Sequence, residues 1–165
     1  MLTIRCTRKL LEELGVKVRR DLMHPTSRLG DWYANVFPTA RGTLVICVSE
    51  RSLLPVFVTA TRDLGSFTSA FQKAVRSVLR EIGVASKSME DEMKESSQIA
   101  ISTTANRRVL GSLNDLAYLA RSTIEDRPHI DLKTLAVELA DTPCSPLDYE
   151  SPRSVSLALL RLEQA

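Results

Sequence analysis

Aromatic residues make up only 5% of the chain, with a single tryptophan, and histidine occurs twice. His24 and His129 stand far apart and neither is near a cysteine in sequence, so the ligand spacing of a zinc site is missing and no metal is expected. Cysteine is scarce too. Cys6, Cys47 and Cys144 are odd in number and widely spaced, which fits small buried thiols in a reducing compartment better than a disulfide framework. With no signal-like apolar start, the cytoplasm is the expected location. The longest apolar runs, such as "TLVICV" and "LPVFV", fall well short of the roughly 20 residues that cross a bilayer, so no membrane partner is expected. A net charge of +2 excludes a strong field that would make nucleic acid or an anionic membrane an obligatory partner. There is no P-loop, no dinucleotide-binding glycine pattern and no G-x-S-x-G elbow. The familiar enzyme signatures are thus absent, and no cofactor is expected.

What is present suffices for a folded core. The 165 residues are 44% hydrophobic, near the usual size of one domain, and the reading is a single α+β domain over 1–165 with 128–165 as a helical C-terminal extension. "MLTIRCT" alternates like a strand and runs into a helix with Thr7 as N-cap and Gly15 as stop. "VKVRRDLMHPTSRLG" reads as a loop. "DWYANVF", "TLVICVS" and "LPVFVTA" are spaced as hairpins and predict an antiparallel meander. Ser66 is positioned to cap a helix with a stripe through Phe67, Phe71, Val75, Val78 and Ile82, ended by Gly83. "SKSMEDEMKESSQ" predicts a short exposed helix with Ser88 as its cap, and "IAIST" a brief strand. A long helix follows from about Ala105 to Glu125, then an amphipathic helix ended by Pro143, a proline-rich loop, and a closing helix over "RSVSLALLRLEQ". The expected fold is α+β, an antiparallel sheet of the meander plus the N-terminal strand, packed on one face by the helices from Ser66 and Ala105.

In the long helix, "NRRVLGSLND" places Gly111 mid-run, at a cost of roughly 1 kcal/mol against alanine. Val109, Leu113, Leu116, Ala120 and Ile124 form its apolar stripe, while Arg107, Gly111, Asn114 and Tyr118 cluster opposite, with Asp115 at the margin. Three readings of Gly111 stand: close packing against another backbone, the floor of a polar pocket walled by Arg107, Asn114, Asp115 and Tyr118, or plain solvent exposure. An arginine at a helix N-terminus could hold an anion through paired donors and free N–H groups. Asp115 has no second carboxylate within a helical turn, which favours a salt bridge over catalysis. "GDWYAN" could set Asp31 and Asn35 across a groove from this helix with Trp32 as a stacking platform, whereas the structural alternative is a turn entering a strand with Trp32 in the core. Near the start, Arg5, Arg8, Lys9, Lys17, Arg19, Arg20 and Arg28 outnumber Glu12, Glu13 and Asp21. Arg19 and Arg20 would then be candidate phosphate contacts, or simply a solvated loop.

The stretches "IRCTRKLLEELG", "LGDWYANVF" and "NRRVLGSLNDL", with the tail "LADTPCSPLDYESP", resemble a family of bacterial and archaeal domains of unknown function. The resemblance implies one α+β domain and marks Asp31, Trp32, Asn35, Asn106, Arg107, Gly111, Asn114 and Asp115 as motif residues. It carries over no catalytic role. The functional expectation is a non-catalytic binding or regulatory protein that uses a polar groove between the GDWYAN strand and the NRRVLGSLND helix, with another protein or an anionic small ligand as partner. The alternatives are an enzyme or sensor acting on an anionic small molecule such as a nucleotide, and nucleic-acid binding through the basic N-terminal segment.

Overall fold

Leu2–Cys6 forms β1, and Thr7 closes it by capping the next helix, α1 (Arg8–Leu14), with its hydroxyl accepting from the Leu10 amide at 3.4 Å. Gly15 ends α1 at φ 61°, a left-handed conformation that glycine adopts without a Cβ penalty. The computed structural model describes residues 1–161. Within them the chain continues through β2 (Trp32–Thr39), β3 (Gly42–Ser49), β4 (Pro55–Thr59), α2 (Leu64–Glu81), α3 (Ser86–Glu95), β5 (Ile99–Thr103), α4 (Arg107–Asp126), α5 (Leu132–Ala140), a 3-10 turn at Ser145–Leu147, and α6 (Pro152–Leu159).

The expected meander is present, since β2, β3 and β4 pair antiparallel. The sheet as a whole, however, is mixed and not antiparallel. Its order is β4-β3-β2-β1-β5, and β1 runs parallel to both β2 and β5. The cause is the connection: α1 and the long loop after it carry the chain back to the starting end before β2 begins, and α2 with α3 do the same between β4 and β5. The open edge of β5 is covered by that loop. Arg19 N–H donates to Ile101 O at 2.9 Å and Ser102 Oγ donates to Arg19 O at 3.0 Å.

Helices cover both faces of the sheet, not one. Trp32 meets Phe71 of α2 edge to face at 5.2 Å, and Ile4, Cys6 and Ala34 share that side by register. Tyr33 and Phe37 point the other way, with Ile46 and Phe57 beside them, and α4 lies over this side of β2 and β3. The physical reason is that these strands are apolar on both sides, so either face left open would expose a row of large side chains. α5 packs beside β4 and touches both α2 and α4, burying Leu135, Ala136, Leu139 and Ala140.

Two helix starts differ from expectation. Asp63, not Ser66, caps α2, its carboxylate accepting from Ser66 N at 2.8 Å and Ser66 Oγ at 2.7 Å. A carboxylate placed before the helix outcompetes a hydroxyl inside the first turn for the free amides. α3 begins after Ala85, which supplies no side-chain cap, and is not an exposed helix: Ser88, Met89, Glu92 and Met93 are buried. The closing helix, α6, spans Pro152–Leu159; Leu162, Glu163 and Gln164 of the expected helix lie outside the described residues.

Buried Glu92 accepts from the amides of Arg28 at 3.0 Å and Leu29 at 3.1 Å, fixing the loop that leads into β2. Burial pushes its carboxyl above the ordinary value of 4.5, against the opposing pull of those two amides. A raised folded pKa means the folded state holds the proton longer. The contribution of Glu92 to stability therefore grows as pH falls from neutrality through the raised pKa, and levels off below the ordinary value. In thermal melts at stepped pH, the wild type is expected to gain on Glu92→Gln under acidification; a constant gap would contradict this.

Candidate functional site

The two motif stretches meet on the α4 side of the sheet. Asn106 caps α4, its Oδ1 accepting from Arg108 N at 2.9 Å and Val109 N at 3.3 Å, while its own N–H donates to the Tyr33 hydroxyl at 3.1 Å. Burial pushes the Tyr33 hydroxyl pKa up, and the Asn106 amide opposes that shift. Next to Tyr33, Arg5 Nε donates to Asp31 Oδ2 at 3.0 Å, and its Nη1 reaches Thr103 O at 3.2 Å. One guanidinium thereby ties β1 to the start of β2 and the end of β5. Asp31 is buried, and its Oδ1 has no partner among the described residues. Asn35 Oδ1 accepts from Thr7 Oγ1 at 2.5 Å, which joins the cap of α1 to β2.

Trp32 points to the opposite side and is core, so it cannot be a stacking platform for this site; strand alternation separates it from Asp31, Tyr33 and Asn35. Gly30 is required by geometry. Its φ is +78°, and a Cβ there would lie 3.0 Å from Arg51 Cγ and 3.1 Å from Glu50 Oε2. Behind those two residues Leu53 is buried at φ 57°, a conformation that disfavours a branched side chain.

A shallow cavity of about 180 Å³ opens where this hairpin turn, α4 and the C-terminal loop converge, lined among others by Glu50, Arg51, Asn106, Arg108, Ser112 and Pro146. Arg107, Gly111, Asn114 and Asp115 do not line it; all four are exposed. The wall expected from helical phase is thus replaced by residues on the neighbouring flank of α4, because the hairpin and C-terminal loop close over that flank. The close-packing reading of Gly111 is overturned as well, since a Cβ at this position would meet nothing within 4 Å. Opposite outcomes are expected for the two glycines. Gly111→Ala should stabilise by about 1 kcal/mol, and Gly30→Ala should destabilise by about 1–3 kcal/mol; urea unfolding of both variants checks the pair.

The remaining groups with chemical potential are committed elsewhere. Burial pushes the Cys6 thiol up to about 12 and raises Cys47 well above the usual range. Cys144 is raised by burial and by the charge of Asp115, which places that carboxylate near the C-terminal loop. Such thiols are poor nucleophiles. Among the described residues, no group of three or more His, Cys, Asp or Glu side chains is arranged to hold a metal ion. Exposed Arg19 pairs with Asp21 at 3.1 Å, and Arg20 beside it is exposed. No helix of the described residues is long and apolar enough to cross a membrane.

Sequence reasoning did not single out Tyr33, Glu50, Arg51 or Pro146, and it treated Arg5 only as one charge of a basic patch. A charge isolated in the apolar strand "LTIRC" was the available signal for Arg5; nothing local marks Glu50 and Arg51, which reach the site through the hairpin.

Fold and site together define an α+β domain in which a mixed five-stranded sheet carries a polar cluster under the N-terminus of one long helix. The chain belongs to the family described as a domain of unknown function (DUF6933), whose profile matches residues 3–155. No curated protein and no solved structure matches it.

Proposed function

We propose that this chain is a non-catalytic binding or regulatory protein that docks another protein on the solvent face of α4 and the shallow cavity beside it. The observation that carries this reading is Gly111. It weakens the exposed side of a 20-residue helix with no neighbour to account for it, on a face that also presents Tyr118 at 72% and Leu119 at 39% exposure. A glycine there leaves room for a partner's backbone or side chain to approach the helix closely. The polar cluster below serves as a rigid support: buried Asp31 is held by Arg5, half-buried Asn35 by Thr7, and exposed Asn106 by Tyr33 and the helix amides. At about 180 Å³ the cavity falls below the roughly 300–1,000 Å³ of typical small-molecule sites. Native mass spectrometry of the gently purified protein tests the proposal. A defined added protein mass supports it; a bare chain, or a small molecule as the sole added mass, counts against it.

A second reading has one observation in its favour: Arg108 lines the cavity at the N-terminal end of α4, with Glu50 and a carbonyl-bonded Arg51 beside it, and an arginine at a helix N-terminus suits a small anion such as a nucleotide phosphate. It requires thermal stabilisation by nucleotides that Arg108→Ala abolishes. Absence of any shift at millimolar ligand would end it.

A further inference from the structure

A larger cavity, about 450 Å³, lies between the α2–α3 connection and α6, and shares no lining residue with the motif site. Val84, Leu157 and Leu160 form its apolar body, and Ser88 and Arg161 bring polar groups to it; no carboxylate of the described residues lines it. α3 starts at this cavity. The helices beginning after Thr7, Asp63, Asn106, Asp131 and Ser151 each have a side chain accepting from first-turn amides. α3 has none: its N-cap is Ala85, and its first turn contains no acidic residue. The first amides of a helix lack intrahelical acceptors, so here they remain available to an outside anion.

Ser88 is the independent observation. It is 5% exposed, lines the cavity, and stands in the first turn of α3, with no hydrogen bond from its hydroxyl to any described residue. Its oxygen is not a buried orphan but is open to the cavity, where a ligand oxygen can accept from it. Asp91 and Glu92 line the smaller adjoining cavity that shares Ser88 and Leu160. Carboxylates on that side repel an anion, so its attraction must come from Arg161 and the α3 amides.

We propose that this cavity binds a small amphiphilic anion, a carboxylate or phosphate monoester on an alkyl chain. The head oxygens accept from the first-turn amides of α3, the Ser88 hydroxyl and the Arg161 guanidinium, and the chain lies along Val84, Leu157 and Leu160. Exclusion of water from that apolar wall supplies affinity, and the amides and Arg161 supply selection for charge.

Calorimetric titration of the full chain with octanoate and with octyl phosphate, both below their micellar concentrations, tests this. At least one should bind saturably with one site, about tenfold or more tighter than acetate, inorganic phosphate or octyl glucoside. Whichever of the two binds tighter identifies the head group. Ala85→Asp gives α3 a cap of its own and should raise Tm by ~2–4 °C while weakening binding at least about tenfold. Ser88→Ala should weaken it several-fold. A variant that gains stability as it loses ligand cannot owe the loss to unfolding. No saturable binding of either amphiphile, equal binding of acetate or inorganic phosphate, or unchanged affinity in Ala85→Asp would overturn the proposal.

Discussion

Trp32→Ala is expected to destabilise the protein by about 3–5 kcal/mol, the largest effect of any single substitution considered. Trp32 is 2% exposed and stands edge to face with Phe71 at 5.2 Å, joining β2 to α2. Removing the indole leaves a cavity that flanking residues of a sheet cannot close, because pairing with β1 and β3 fixes the backbone on both sides. Trp32→Phe keeps an aromatic ring against Phe71 and should cost distinctly less. Urea unfolding measures both. The same residue reports its own environment: native emission should be blue-shifted, as for a buried indole, and should not change when a partner docks on α4, on the opposite face. An unfolding midpoint for Trp32→Ala close to the wild type would contradict this placement.

The second large effect is expected from Arg5→Ala, at about 3 kcal/mol. Deleting one member of a buried ion pair leaves the other charged and unsolvated. Asp31 would lose its one side-chain partner among the described residues, where its other oxygen already has none. The value sits at the low end of the usual range because the Arg5 side chain is 19% exposed, so water already reaches one end of the pair. A double-mutant cycle decides between a buried pair and a surface one. Arg5→Met combined with Asp31→Leu should recover most of the loss, since two apolar side chains leave no unpaired charge. Additive losses would show that the two residues act independently.

The order and kind of elements were largely legible because they depend on local pattern. Helical spacing in Phe67–Ile82 and Val109–Ile124 and the capping chemistry of Thr7 and Gly15 are written within a few residues. Parallel pairing of β1 was not legible in the same way, since its two neighbours, β2 and β5, come from distant parts of the chain. A clue to the two covered faces was nonetheless present: "TLVICV" is nearly continuous in apolar residues where a one-faced sheet would alternate. The site divides along the same line. That "GDWYAN" and "NRRVLGSLND" touch follows from each carrying polar residues out of phase with its element, whereas the flank of α4 that lines the cavity depends on where the hairpin turn and the C-terminal loop come to rest. Helical phase placed Arg107, Asn114 and Tyr118 together correctly as a face, but it could not tell whether that face was walled or open.

The measurement that addresses the docking surface most directly is affinity capture with wild type and Gly111→Arg side by side, each accompanied by its thermal melt. Arginine at this position projects into open space and is a better helix former than glycine, so the variant should melt at or above the wild-type temperature. The proposed docking surface predicts that a protein held by the wild type is lost by this equally stable variant, because the new side chain occupies the place where the partner approaches the helix. Retention of the same partner at undiminished yield would contradict it and leave Gly111 as a position that tolerates any side chain.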